Sequence, residues 1–185
     1  RLFSADWLAR TFDMEVVVLI RHPAAFASSL KVLNWNFGFG NLAGQKSLIH
    51  DHLYPFKGKI EEFASRPPGI IDQAVLLWNC IHHVAWKFKE MHPEWLFVRH
   101  EDLSSEPVDE FRKMFEKLGL DYNPDMEKKI RRSTGANNPA EQASKKNFRV
   151  HSEANIKTWR KRLNRSEIDR IKAGTSPIAS HFYDE

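Results

Sequence analysis

The run Val16-Val17-Val18-Leu19-Ile20, followed at once by Arg21, His22 and Pro23, constrains this chain most. Five consecutive apolar residues without polar alternation predict a strand buried on both faces of a parallel sheet. Pro23 suits the first position of a helix, where its missing N–H leaves no bond unmade, and Ala24 to Leu33 can continue helically with Phe26, Leu30 and Leu33 on one face. The unit reads strand, tight turn, helix. In open α/β sheets ligands collect beyond the carboxyl ends of the strands, and a helix N-terminus there favours an anion. Arg21 adds a full positive charge at that place. Two readings are open: an anion-binding arginine, or an arginine paired with a nearby carboxylate.

The 185 residues, 42% hydrophobic and 28% charged, suffice for one sizeable core. A single domain over 1–185 is expected. The longest apolar runs, VVVLI and AVLLW, are too short to span a membrane, and no charged-then-apolar leader opens the sequence, so a cytoplasmic protein is expected. Cys80 is the only cysteine, which excludes an internal disulfide and a cysteine-based zinc cluster; beside Trp78 and Ile81 it reads as a core residue. Charge is uneven: residues 127–172 hold 14 Lys or Arg against 5 Asp or Glu, while the remainder carries 14 against 19. A basic segment of this kind suits a phosphorylated ligand, a nucleic acid or an acidic surface, or simply forms solvated helix faces.

Ser4 to Phe12 reads as a short amphipathic helix with Trp7, Leu8 and Thr11 to one side. WNFGFGNLAGQ, residues 35–45, reads as a loop, and an apolar pattern resumes from Ser47 to about Ala64, interrupted by Pro55. After Pro67, Pro68 and Gly69, residues Ile70 to Met91 carry apolar positions at helical spacing and predict a long central helix. Trp95 to Val98 is short enough for a second strand. Ser105 or Asp102 would cap a helix from Pro107 to Leu118, which Gly119 ends. Another helix is expected over about Asp125 to Ser133, then a long loop over 134–152, then short helices over Ile156–Leu163 and Ser166–Ala173. Two strands among six or more helices make an incomplete sheet, so further strands are expected before Arg1.

GFGNLAGQKS, residues 38–47, has the glycines, lysine and serine of a phosphate loop but not its spacing, since Gln45 separates Gly44 from Lys46 and WNF precedes it instead of a strand. The histidines of HDH at 50–52 and the pair His82, His83 lack the i, i+4 spacing and third ligand of a metal site.

Arg21 at a strand end with Ser29 eight positions on resembles the 3′-phosphate-binding segment of sulfotransferases that use 3′-phosphoadenosine 5′-phosphosulfate (PAPS). LFVRHEDL, 96–103, is similar to that family's strand ending in a YEDL-like element, with His100 where tyrosine is common. EPVDEFRKMFEKLGL resembles its proline-led helix ending in Leu-Gly, and NIKTWRKRLNRSEIDRI, 155–171, its tryptophan-basic-leucine helix. The ordered set spans nearly the whole chain and looks closest to the bacterial-type enzymes. The RKG element of the cytosolic steroid and phenol enzymes is replaced by KKNFRVHS, 145–152.

The resemblance implies an α/β fold, a parallel sheet of the P-loop-NTPase type flanked by helices, and a chain that is the C-terminal portion of the domain. The family's 5′-phosphosulfate loop, and most of the residues that assist transfer, would lie upstream. It further implies Arg21 and Ser29 on the 3′-phosphate of PAPS or of its product 3′-phosphoadenosine 5′-phosphate (PAP), with Arg149 or Ser152 capping from the basic loop. No catalytic residue is assigned, and His100, Glu101 and Asp102 take a structural role at the strand end. Trp35, Phe37, Phe39, Tyr54 and Phe56 would face a small-molecule or glycan acceptor, or form a core lid. The alternatives are a kinase of related architecture, a basic nucleic-acid-binding module and a non-catalytic remnant of the fold. Against the nucleic-acid reading, the aromatics are not interleaved with the basic residues.

Overall fold

Parallel strands cannot be joined by a tight turn, so a pair of them demands a long crossover. In the computed structural model, which describes residues 2–141 and 149–184, α1 (Ala5–Phe12) leads to β1 (Val17–Ile20), and the crossover is helical. It comprises α2 (Pro23–Leu33), the short turns α3 (Gly40–Ala43) and α4 (Lys46–Leu48), α5 (Lys57–Ser65) and the 22-residue α6 (Ile70–Met91). The chain then returns as β2 (Leu96–Arg99), which pairs in parallel with β1, Val17 opposite Leu96 and Ile20 opposite Arg99. Strand β2 runs directly into α7 (His100–Ser105), followed by α8 (Pro107–Lys117) and α9 (Pro124–Thr134). Beyond the segment 142–148, whose Lys145 and Lys146 lie outside the described residues as does Arg1, come α10 (Ser152–Ile156), α11 (Trp159–Arg162) and α12 (Arg165–Ala179).

The result is a helix-rich α/β fold with a two-stranded parallel sheet. One core joins Val18 and Ile20 of β1 to Ala24, Ala27 and Leu30 of α2 and to Leu77, Cys80 and Val84 of α6. Strand β1 is not buried on both faces as its composition predicts: Val17 and Leu19 are 41% and 54% exposed, because the helices of this core cover only the opposite face. The helix α2 likewise buries a different stripe from the one expected, with Leu33 at 69% exposure at the last turn. Trp7 and Thr11 of α1 are exposed as well. No helix among the described residues is long and apolar enough to cross a membrane.

Helix α12 lies against α6 and α2. A Cβ on Gly174 would stand 2.6 Å from Val75 Cγ1, so this glycine sets how closely α12 approaches α6. Pro177 sits three residues on, inside α12, and Asn79 of α6 donates its side-chain N–H to the Gly174 carbonyl at 2.8 Å, across the same contact. At its N-terminus α12 is closed by a capping box of Asn164 and Glu167, and the Glu167 carboxylate also receives Lys31 of α2 at 2.7 and 2.8 Å. These contacts hold α12 along α6, with its N-terminus at the last turn of α2.

Candidate anion-binding site

The site forms where β1 gives way to α2. Pro23 occupies the first turn as its fixed φ favours, and His22 caps the helix by accepting the Ala24 N–H on Nδ1 at 3.2 Å. Immediately before it, the backbone of Arg21 is fixed from α6: the indole N–H of fully buried Trp78 donates to the Arg21 carbonyl at 2.8 Å. Trp78 is itself held by His82, whose ring stacks on it at 3.9 Å and whose Nδ1 lies 2.9 Å from the Trp78 carbonyl. A buried histidine so placed stays neutral, and burial pushes its pKa down to about 4.

The Arg21 side chain has no such partner. Its Nε is buried without a hydrogen-bond acceptor, and among the described residues the guanidinium forms neither a hydrogen bond nor an ion pair within 4.0 Å. The carboxylate that the ion-pair reading requires is therefore not in contact. Burial lowers the pKa of Arg21, the negative charge of Glu101 opposes that effect, and Arg162 adds to it. A largely buried cation without hydrogen-bonded compensation is costly and is kept where it has a task.

Glu101 is near enough to act on Arg21 electrostatically, but both of its oxygens are engaged elsewhere. Oε1 accepts the backbone N–H of His22 at 3.0 Å, and Oε2 accepts the hydroxyl of Tyr183 at 2.8 Å. Thus Glu101 joins the ends of both strands to the C-terminal segment. The next residue, Asp102, takes two hydrogen bonds from Arg99, at 2.7 and 2.9 Å, and that guanidinium lies 5.7 Å from the centre of the Tyr183 ring. Burial, followed by Glu101, raises the pKa of Tyr183, so its phenol is a permanent donor. His100 is held below the ordinary imidazole value by burial and then by the charge of Arg21, which makes it neutral at the same strand end. On the other side of His22 the ring stacks on Trp159 at 5.3 Å, beside a cleft of about 460 Å³ between α2, α11 and α12 that Arg160, Lys172 and Thr175 also line.

The residues singled out from sequence are distributed unevenly around this centre. Ser29 lies two turns into α2, and seven residues of helix return it close to the angular position of His22. Its hydroxyl donates to the Ala25 carbonyl at 3.0 Å. Ser152 opens α10 and is buried, donating to the Ser104 carbonyl at 2.8 Å, so it stands at the far end of α7 from His100. Arg149 is exposed. Cys80 is fully buried, and desolvation pushes its thiol up to about 12, a core role and not a nucleophile's. Trp78, Tyr183 and the pairing of Glu101 with His22 have no local signature.

The family model for the sulfotransferase domain matches residues 9–179, nearly the whole chain. No curated protein and no solved structure matches it. The chain belongs to the sulfotransferase domain family, and it is a sulfotransferase enzyme, a catalyst of sulfuryl transfer.

Proposed function

We propose that the sulfuryl donor is PAPS and that Arg21 receives its 3′-phosphate, with Ser29 as a second donor from α2. The observation that carries this reading is the largely buried guanidinium of Arg21, which ends a parallel strand beside a helix N-terminus and has no hydrogen-bond partner among the described residues. An arginine fork matches a phosphate's oxygens, and the helix dipole reinforces the attraction. Recognition of the 3′-phosphate distinguishes this donor from ordinary adenine nucleotides. Arg149 and Ser152 would close the anion from the basic loop; Ser152 now spends its proton on Ser104 and would offer it only after turning.

Residues 1–185, as one domain in an architecture of the P-loop type, would act in the cytoplasm. The bond from sulfur to the phosphate oxygen breaks as a bond from sulfur to an acceptor oxygen or nitrogen forms, the electron pair of the broken bond staying on the leaving phosphate and the acceptor's proton passing to solvent. The protein's contribution is alignment and neutralisation of charge on the leaving phosphate. Half-exposed Trp35 and strongly exposed Tyr54 would face a small-molecule or glycan acceptor, whereas Phe39 belongs to the core, edge-on to Phe37 and Phe63.

Calorimetric titration with PAP and with 5′-AMP tests the reading. PAP is expected to bind the wild-type protein more tightly than 5′-AMP. Arg21→Ala is expected to reduce that preference by about tenfold or more, the worth of a charge-assisted pair of hydrogen bonds. Equal binding of the two nucleotides by the wild-type protein overturns it.

A further inference from the structure

Among the described residues Arg21 is unpaired although a carboxylate stands close by, and the reason lies in what that carboxylate already holds. Glu101 has two oxygens. One accepts from a backbone donor, the His22 N–H at 3.0 Å, whose position is set by the β1–α2 turn. The other is occupied by one side chain alone, the Tyr183 hydroxyl at 2.8 Å. Tyr183 is in turn anchored by ring contacts, edge-on to His22 at 5.4 Å and under the Arg99 guanidinium. Arg99 itself is tied by two hydrogen bonds to Asp102, so it does not compete for Glu101. Every charged neighbour of Arg21 at the strand ends is thereby satisfied without it.

We propose that Glu101 and Tyr183 are positioning residues that keep Arg21 available: the tyrosine hydroxyl, together with the His22 N–H, fixes the orientation of the Glu101 carboxylate and so holds it out of the ion pair that would otherwise close the anion site. The consequence is a division of charge. The charge of Glu101 is close enough to favour the largely buried guanidinium, yet Glu101 does not take the hydrogen bonds that a bound phosphate needs. Neither residue need touch the ligand. This inference rests on the proposed role of Arg21 in binding a 3′-phosphate.

The decisive comparison uses Tyr183→Phe, which removes one oxygen and keeps the ring, and the double variant Tyr183→Phe with Glu101→Gln. Tyr183→Phe is expected to weaken PAP binding by about tenfold, the scale of one hydrogen bond to a charged group, and to leave 5′-AMP binding unchanged. The double variant is expected to recover most of the loss, because a neutral amide cannot form an ion pair with Arg21 and competes only weakly with a phosphate for it. A purely structural tyrosine would give the double variant a loss at least as large as the single one, and that result overturns the proposal. Nitrogen-15 NMR of the Arg21 Nε–H supplies a readout free of nucleotide: a shift and slower exchange on Tyr183→Phe mark formation of the ion pair, and an unchanged signal refutes it. If the wild type does not distinguish PAP from 5′-AMP but the NMR response appears, the donor assignment fails while the Glu101 mechanism stands.

Discussion

Trp78 holds Arg21 by the backbone: a fully buried indole N–H donates to the arginine carbonyl at 2.8 Å, at the point where β1 ends. The guanidinium is therefore aimed from a fixed Cα although no group among the described residues grips its end. Trp78→Phe leaves that carbonyl unsatisfied and is expected to cost about 1–3 kcal/mol in denaturant unfolding. It should also weaken PAP binding beyond what the stability change explains. Unchanged stability would show that another donor replaces the indole.

Arg21→Met should separate stability from binding. A largely buried cation without a partner is an expense to the fold, so a linear apolar side chain of similar length is expected to leave the melting temperature unchanged or raise it. The same substitution should abolish the preference for PAP. A large fall in melting temperature would mean that the guanidinium is structurally paired in solution.

Acid should destabilise the protein through His82. Its folded pKa is depressed to about 4 by burial, while the unfolded chain titrates near 6.5, so the unfolded state binds more protons between these values. Stability is then fully present above about pH 6.5 and is lost as pH falls toward 4, by on the order of 3 kcal/mol for this one group. His82→Phe keeps a ring against Trp78 and should make that acid limb of the stability profile shallower, as read from urea midpoints at several pH values. An identical slope in the variant would assign the acid sensitivity to other groups.

The approach of α12 to α6 is set by the absence of one methyl group. Gly174→Ala meets Val75 Cγ1 and is expected to destabilise by about 1–3 kcal/mol despite the better helix propensity of alanine. Gly174→Ala with Val75→Ala should recover part of the loss. Thermal melts of the two variants decide the matter, and a neutral single variant would show that α12 can move outward freely.

Local chemistry made much of the fold legible. Gly69 and the apolar period bound α6 at Ile70 and Met91 as read from sequence, and Gly119, at a φ of 64°, ends the segment after α8 as a left-handed stop. The strand–Pro23–helix unit and Arg21 were readable for the same reason, since each feature lies within a few residues of the next. Where sequence reasoning failed, a tertiary neighbour decided the outcome. Ser105 and Asp102 belong to α7 instead of capping α8, whose N-cap is Glu106, because β2 passes into a helical turn without a loop. Val17 and Leu19 are as apolar as Val18 and Ile20, and composition could not say that only one face would be covered. The site residues missed were those whose partners are remote: Trp78 lies 57 positions from Arg21, and Tyr183 lies 82 from Glu101.

That remoteness has a kinetic side. The His22 to Glu101 bond closes a separation of 79 residues, and the register of β1 on β2 closes the same one, whereas α6 and the α2 turn can begin to form from neighbours alone. Closing so long a loop is entropically expensive before any strand contact rewards it, so the strand ends should meet late. A refolding chain would pass through states rich in helix but unable to hold an anion, and ligand-dependent protection from exchange should appear only with the last folding phase.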